Sequence, residues 1–562
     1  MKRKINTALM FLLTVGLIFS VLSTGDFVSA ASTIYVNDSQ NALSGDLSSA
    51  YAVGGTGTVS PAGGTYAITG NGVVQIGQTG TTTEPTTAPD GANVTVKQST
   101  VRVGLYYYYN TSRDTSQPAA SLQNKVGGGY KFGYYDSSRT FYEVGNTAET
   151  QLTMVPDVNT TVAAGIIGCY HIRLSGTYAD FNSAQSVASQ YTGGFPAYIN
   201  GTYYAMIGNY QSTTAASSAK ASLGVSGEVF SGSSRCVAVT KTGTTNILFE
   251  FDCGTNANLA VRPVNASGKA ITWFKGYAYY GDFEYYRYIS AKLTVINILP
   301  LEDYVKGVIP YEMSPSWPFE ALKAQALCAR TYCARMANIE KYSNFGFDVT
   351  ADTYCQAYRG TTGANTTSDS AVDVTVGRYI TYNGSLCEIQ YFSSDGGGTE
   401  DSENVYTNAL PYCRGVIDPY EDAVPASLNS RKSWSVQFAS SDLLTKINSK
   451  GYTLTNIAGV TPVYSDTNNV ISLTFTDSTG KTATFSKSAC YSFCCGTLAM
   501  NSIHYTITQN NDTYVFSGSG WGHNVGMSQY GAYSMAINYN YNCRQIIGFY
   551  FTGVSISLGV TN

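Results

Sequence analysis

One long helical pattern stands among many short alternating ones, and that imbalance decides the fold class. From Ser316 to about Lys341, Leu322, Ala326, Ala329 and Cys333 recur at i, i+4, i+7 and i+11, which places them on one face of a helix. Ser316 is placed to cap it, with Pro318 and Glu320 in the first turn. A shorter helix from Glu302 to Ile309 precedes it and is expected to stop at Pro310. Elsewhere apolar residues alternate between turns: Val101–Leu105, Tyr130–Tyr135, Phe141–Val144, Asn246–Phe251 and Ala291–Asn297 read as strands, with turns at Gly243 and Gly268. The expectation is an α+β, β-rich multidomain chain.

The N-terminus bears on the compartment. Lys2, Arg3 and Lys4 precede an uncharged apolar run from Ala8 to Leu22, and Val28-Ser29-Ala30 supplies small residues for cleavage. Residues 1–30 are therefore expected to be a secretory signal; left uncleaved, the same run would be the protein's membrane attachment. Charged residues make up only 12% of the chain, and 46 tyrosines help fill the gap. That surface suits an extracellular protein that touches sugars, and it suits β-structure equally. A net charge of −4 offers no electrostatic footprint for nucleic acid. Twelve cysteines in an exported chain permit disulfides. Cys328 and Cys333, however, point about 140° apart on one helix and read as buried thiols.

Residues 31–98 form a Gly/Thr/Ser-rich β-like segment and linker, and 99–168 a β-rich leader region. A repeat follows within 169–240. Tyr170–Leu174 leads to a helix-like run at Ser183–Ala188, and Tyr203–Tyr210 leads to another at Ala215–Lys220, with Phe195–Ile199 as a strand between. This β-α-β-β-α order predicts a small sheet with two helices on one face. It resembles the SPOR domain, a family that binds peptidoglycan glycan strands lacking stem peptides; an unrelated α+β module fits the same order. The remaining segment, 241–562, carries the candidate chemistry, with its core motifs from 299 onward.

Glu312 stands in a turn between Tyr311 and Met313, where aromatic and thioether surface should desolvate its carboxyl and keep a proton available. A helix-terminal glutamate capping a neighbour would look the same. Lys323 and Arg330, seven apart, share the second face of the long helix. The run Gly518–Ala532 packs glycines around Trp521, His523, Gln529 and Tyr530; the tryptophan offers a flat face for a pyranose ring and the others offer hydrogen bonds. A tight turn leading into a helix at Ser528 is the plainer reading. A further Gly-rich turn, Ser393–Glu400, contains Ser394 and follows the strand Ile389–Phe392.

Leu299–Met313, Glu320–Tyr332, Gln356–Gly360, Ser393–Glu400 and Gly518–Ala532, in that order, resemble the SpoIID/LytB family, which includes stage II sporulation protein D and the amidase enhancers. The resemblance implies a C-terminal domain of mixed strands and helices over 241–562, localised outside the cytoplasm at the cell wall. It implies a lytic transglycosylase that cuts MurNAc–GlcNAc linkages of peptide-stripped glycan strands with Glu312 as catalytic acid/base. It further implies supporting or substrate-binding roles for Lys323, Gln325, Arg330, Tyr358, Ser394, Trp521, His523, Gln529 and Tyr530. Partners would be the glycan strands and, for a non-catalytic wall-binding member, an N-acetylmuramoyl-L-alanine amidase that it stimulates. Two positions depart from the family pattern: Ser314 separates Met313 from Pro315, and Asn524 replaces a glycine. Three histidines and Cys355 supply no ligand set of recognisable spacing, so no metal or other cofactor is expected, with an ion near Cys355 left open.

Overall fold

A computed structural model describes residues 57–59, 65–69, 72–77, 85–289 and 291–561. The expected signal segment 1–30 and most of 31–98 lie outside the described residues; 57–59, 65–69 and 72–77 form a three-stranded antiparallel sheet. The chain folds as two compact units. One comprises Pro85–Tyr391 and Ala532–Asn562, the other Phe392–Gly531 with the segment up to Glu84. Residues 241–562 therefore contribute to both.

The first unit contains a ten-stranded sheet. In chain order seven of its members are β1 (Gln151–Pro156), β2 (Tyr170–Leu174), β3 (Gly194–Ile199), β4 (Thr202–Tyr210), β5 (Gly227–Phe230), β6 (Val237–Lys241) and β7 (Ile247–Asp252). In space they run β5-β2-β4-β3-β7-β6-β1, continuing into Ala120–Val126, Ile271–Phe274 and Tyr277–Tyr279. The β-α-β-β-α order is present. α1 (Phe181–Ala188) starts at Asp180, whose side chain accepts from the Ser183 N–H, and α2 (Thr213–Leu223) is capped by Ser212. Gly224, at φ +64°, ends α2 in the left-handed region. The sheet is not small and separate, as the sequence suggested. β3 pairs in parallel with β7, so the repeat is the end of the larger sheet.

The seven-stranded sheet positions the helices that matter for chemistry. Its β8 (Thr294–Pro300) is buried from Thr294 to Leu299 and lies between Asp282–Tyr286 and Thr100–Tyr106, whose Val101 and Val103 are buried as the alternation predicts. β8 runs directly into α3 (Leu301–Glu312) with no intervening loop. The helix passes through Pro310 rather than stopping there. Proline in the last turn removes one backbone bond, and the Met313 N–H still closes onto the Ile309 carbonyl at 2.9 Å.

α4 (Phe319–Asn338) begins after Pro318, with no side-chain cap, and ends before Lys341. Ser316 is engaged elsewhere: its Oγ lies 2.9 Å from Ser314 Oγ in the connection. Leu322, Ala326, Ala329 and Cys333 are all buried, yet so is most of the rest of α4. α3, α5 (Thr366–Asp373), the strand Arg378–Tyr382 and α6 (Cys543–Tyr550) surround it. Its run of alanines and cysteines lets these neighbours approach closely. All twelve cysteines are thiols, and both Cys328 and Cys333 are buried. Within Phe392–Gly531 the second unit holds two further three-stranded antiparallel sheets, one of Trp434–Ala439, Thr513–Gly518 and Tyr505–Asn510, the other of Gly459–Tyr464, Val470–Thr476 and Thr482–Ser486.

Candidate active site

Glu312 is the last residue of α3, whose Tyr304, Val305, Val308 and Ile309 are fully buried and fix the helix in place. Its carboxyl is half-buried between exposed Tyr311 and buried Met313, and Oε1 accepts the Ala357 N–H at 3.0 Å. The Gln356–Gly360 segment delivers that N–H. Gln356 Oε1 accepts from Tyr304 Oη (3.1 Å), while Gln356 Nε2 donates to Tyr391 Oη (2.9 Å). Tyr358, buried, donates to Asn297 Oδ1 on β8 (2.8 Å). Gly307 lets the segment lie against α3: a Cβ there would sit 2.5 Å from Tyr358 Cε2 and 2.8 Å from the Gly360 carbonyl oxygen. Gly360 adopts φ +60°. Ser314 comes after the helix has closed and stands exposed in the connection to α4.

Arg330 and Lys323 do not converge on Glu312. Arg330 is fully buried and grips Glu302 with two nitrogens, Nε to Oε1 at 2.9 Å and Nη2 to Oε2 at 2.7 Å; Nη2 also donates to the Val372 carbonyl. Glu302 lies in the first turn of α3, about 15 Å along the helix from Glu312. Lys323 pairs with Glu320 at 2.6 Å, and Glu320 accepts the Cys543 N–H at the start of α6. Gln325 is fully buried, and among the described residues neither its Oε1 nor its Nε2 has a hydrogen-bond partner.

The remaining sequence candidates lie in the second unit. Trp521 is exposed, with the Arg431 guanidinium 3.7 Å above its ring centroid. His523 packs between Phe392 and Tyr406, and its Nδ1 accepts the Val525 N–H. Gln529 is buried at the start of the helix Gln529–Asn538. Tyr530 donates its hydroxyl to the Leu428 carbonyl (2.8 Å) and its N–H to Ser393 O (3.0 Å). Ser394 is fully buried, exchanges backbone bonds with Trp521, and donates its hydroxyl to Glu421. Glu421 also accepts from Ser528 Oγ, the Asp395 N–H and Asn429 Nδ2, so it ties the two Gly-rich turns together. Burial, and behind it the Asp418 carboxylate, pushes Glu421 above the usual carboxylate range. Asn524 stands at φ +60° and donates Nδ2 to the Asp395 and Gly398 carbonyls. A left-handed position that glycine would fill is thus occupied by a residue that tolerates it well. Gln356, Gly307 and Asn297 were not singled out from sequence, although a polar residue inside an apolar strand marks Asn297; nothing in the sequence marks Glu421.

A family model described as stage II sporulation protein matches residues 290–382, which contain α3, α4 and the Gln356–Gly360 segment. An uncharacterized protein of Brachyspira hyodysenteriae is 34% identical over 294 residues, covering 50% of this chain and 73% of that protein. Stage II sporulation protein D of Bacillus subtilis is 32% identical over 284 residues, 48% of this chain and 78% of its own length. The amidase enhancer of Bacillus subtilis is 30% identical over 292 residues, 45% of this chain and 40% of its own length. With this likeness spanning most of two of these relatives, and with α3, α4 and the Gln356–Gly360 turn locked together, the chain belongs to the SpoIID/LytB family of stage II sporulation protein D and the amidase enhancers.

Proposed function

We propose that this protein is a peptidoglycan lytic transglycosylase, with Glu312 as its one acid/base. The setting of Glu312 carries the reading: a half-buried carboxyl at a helix C-terminus, with one oxygen held by a backbone N–H. The carboxyl stands at the C-terminal end of α3, on its exposed side. The Ala357 N–H stabilises the carboxylate left after proton transfer. In the first step Glu312 gives its proton to the glycosidic oxygen and the C1–O bond of the muramyl residue breaks. The muramyl C6 hydroxyl then attacks C1 while Glu312 takes its proton, which closes a 1,6-anhydro ring and consumes no water. A single carboxyl suffices, where hydrolysis needs two.

Arg330 is a positioning residue in this reading, holding the first turn of α3 through Glu302, and Lys323 holds the start of α4 through Glu320. Gln325 and Tyr358 support the site from within, as Ser394 and Gln529 do for the Gly-rich turns. Trp521, His523 and Tyr530 present sugar-binding surface. The substrate is the peptide-stripped glycan strand, met outside the cytoplasm during wall remodelling or sporulation, with residues 1–30 as the export signal and 169–240 as a second glycan-binding module. Among the described residues, no helix is long and apolar enough to cross a membrane.

The relative named amidase enhancer favours a second reading, a non-catalytic wall-binding protein that stimulates an amidase. Mass spectrometry of products from peptide-free glycan strands separates the two. The transglycosylase releases anhydro-ended fragments, and Glu312→Gln lowers the rate by about 10²–10⁴ while the fold is kept. Undiminished anhydro products from Glu312→Gln would put the acid elsewhere. No product from the wild type, together with acceleration of an added amidase, would establish the second reading.

A further inference from the structure

Four metal-ligating side chains meet inside the ten-stranded sheet, three from the neighbouring strands β7, β6 and β1 and one from the more distant β2. His171 lies on β2, Asp157 just past β1, Cys236 just before β6 and Glu250 on β7. His171, Cys236 and Glu250 have no exposure, and Asp157 is buried. β2 and β7 are three strands apart in the sheet, about 14 Å if it were flat. His171 Nε2 nevertheless lies 3.6 Å from Glu250 Oε2 and 3.3 Å from Asp157 Oδ1. Cys236 Sγ lies 3.0 Å from Glu250 Oε1. Ligand atoms of Asp157, Cys236 and Glu250 all fall within 4.8 Å of one another.

Two details point to an ion. His171 Nδ1 sits 2.6 Å from the Gly208 carbonyl, which can only accept, so Nδ1 carries a hydrogen and Nε2 is turned toward the two carboxylates. This is the second hydrogen bond that a metal-bound histidine ordinarily makes. Independently, Glu250 Oε2 is fully buried and has no hydrogen-bond partner among the described residues; His171 Nε2 stands at 3.6 Å, beyond hydrogen-bond reach. We propose that His171, Asp157, Cys236 and Glu250 hold a structural zinc ion.

The spacing and donor chemistry agree. Bonds of 2.0–2.3 Å to a tetrahedral zinc put neighbouring ligand atoms about 3.3–3.7 Å apart; the two His171 separations fall in that range, and Cys236 Sγ to Glu250 Oε1, at 3.0 Å, is shorter and would open as the ion enters. A thiolate and an imidazole exclude calcium and magnesium, which take oxygen ligands. Binding displaces the Cys236 thiol proton. The three anionic ligands then exceed the zinc charge by one, and buried Arg287 lies beside them, donating to the Cys236 carbonyl. With four protein ligands and no exposure the ion has no open position, so its work is mechanical: it clips β2 of the 169–240 repeat to β7, β6 and the end of β1. The inference does not depend on the activity proposed for Glu312.

The test uses the full exported chain, purified without chelator or metal-affinity resin. Elemental analysis should find close to one zinc per chain. Stripping with a strong chelator should lower the melting temperature, and readdition should restore it. Cobalt in place of zinc should give the intense visible bands of a four-coordinate ion with a thiolate ligand. Cys236→Ser should reduce bound zinc at least about tenfold, whereas Cys333→Ser should leave it unchanged. If Cys236→Ser fails to fold, the stripping, reloading and cobalt spectrum of the wild type still decide the matter. Zinc far below stoichiometric, no uptake by the stripped protein and a melting temperature indifferent to chelator would overturn the proposal. The cluster would then be a protonated histidine paired with carboxylates.

Discussion

Gln325 carries an amide into the middle of α4, where both its oxygen and its nitrogen are buried and unbonded. Leaving such a group unsatisfied costs about 1–3 kcal/mol. Replacement by a side chain of similar length without the amide should recover that cost. Gln325→Met is therefore expected to raise the unfolding free energy by about 1–3 kcal/mol, read from the denaturant midpoint at constant slope. No gain, or a loss, would mean that buried water satisfies the amide in solution. A stabilised variant with reduced glycan cleavage would mark Gln325 as retained for function at the expense of stability. At this scale the sequence was informative about which residues stand together in the motifs, and silent about which of them touch. Arg330 and Lys323 sit seven apart on one helix face, yet one grips Glu302 and the other Glu320. Helical spacing fixes a direction around the axis; it does not name the neighbour waiting there.

Among the elements, α3 and the Gln356–Gly360 segment behave as one piece because Gly307 permits it. A methyl group at Gly307 would overlap Tyr358 and the Gly360 backbone, neither of which can retreat easily, since Tyr358 is bonded to Asn297 on β8. Gly307→Ala should lower stability by about 1–3 kcal/mol through overpacking and draw the Ala357 N–H away from Glu312, which on the proposed mechanism cuts turnover as well. The control is Gly459→Ala, where nothing lies within 4 Å of the added carbon and little change is expected. Denaturant unfolding of both variants checks this. Equal stability of Gly307→Ala and wild type would mean the segment is not seated on α3. The apolar stripe of α4 was readable, but its burial on nearly every side was not. Its walls come from α3, α5, the strand Arg378–Tyr382 and α6, and the last of these lies some two hundred residues away. The cluster of His171, Asp157, Cys236 and Glu250 was hidden for the same reason. Its members come from strands paired only through the tertiary fold, so no local motif announces them.

For the whole molecule, the β-α-β-β-α repeat looked self-contained in sequence and is not so in space. Cutting out residues 170–240 would expose the backbone edge of β3 that pairs with β7. The excised segment should self-associate in size-exclusion chromatography and analytical ultracentrifugation, while a fragment that keeps β6 and β7 should do so less. A monomeric, cooperatively folding 170–240 segment would contradict that expectation and restore the simpler picture of an independent module. The first unit has a related property. Its last strand, Ser555–Val560, pairs with Arg378–Tyr382 and in parallel with Val94–Thr95, and Arg544 is bonded to Ala88 and Asp90. If the chain is exported from its N-terminus, as proposed above, that closure is a timing device. Residues 85–391 reach the far side first and must wait, with the Arg378–Tyr382 edge open, while the whole of Phe392–Gly531 passes through. The unit locks only when residues 532–561 arrive, so a chain cut short in transit presents an unpaired edge to proteases instead of a closed unit.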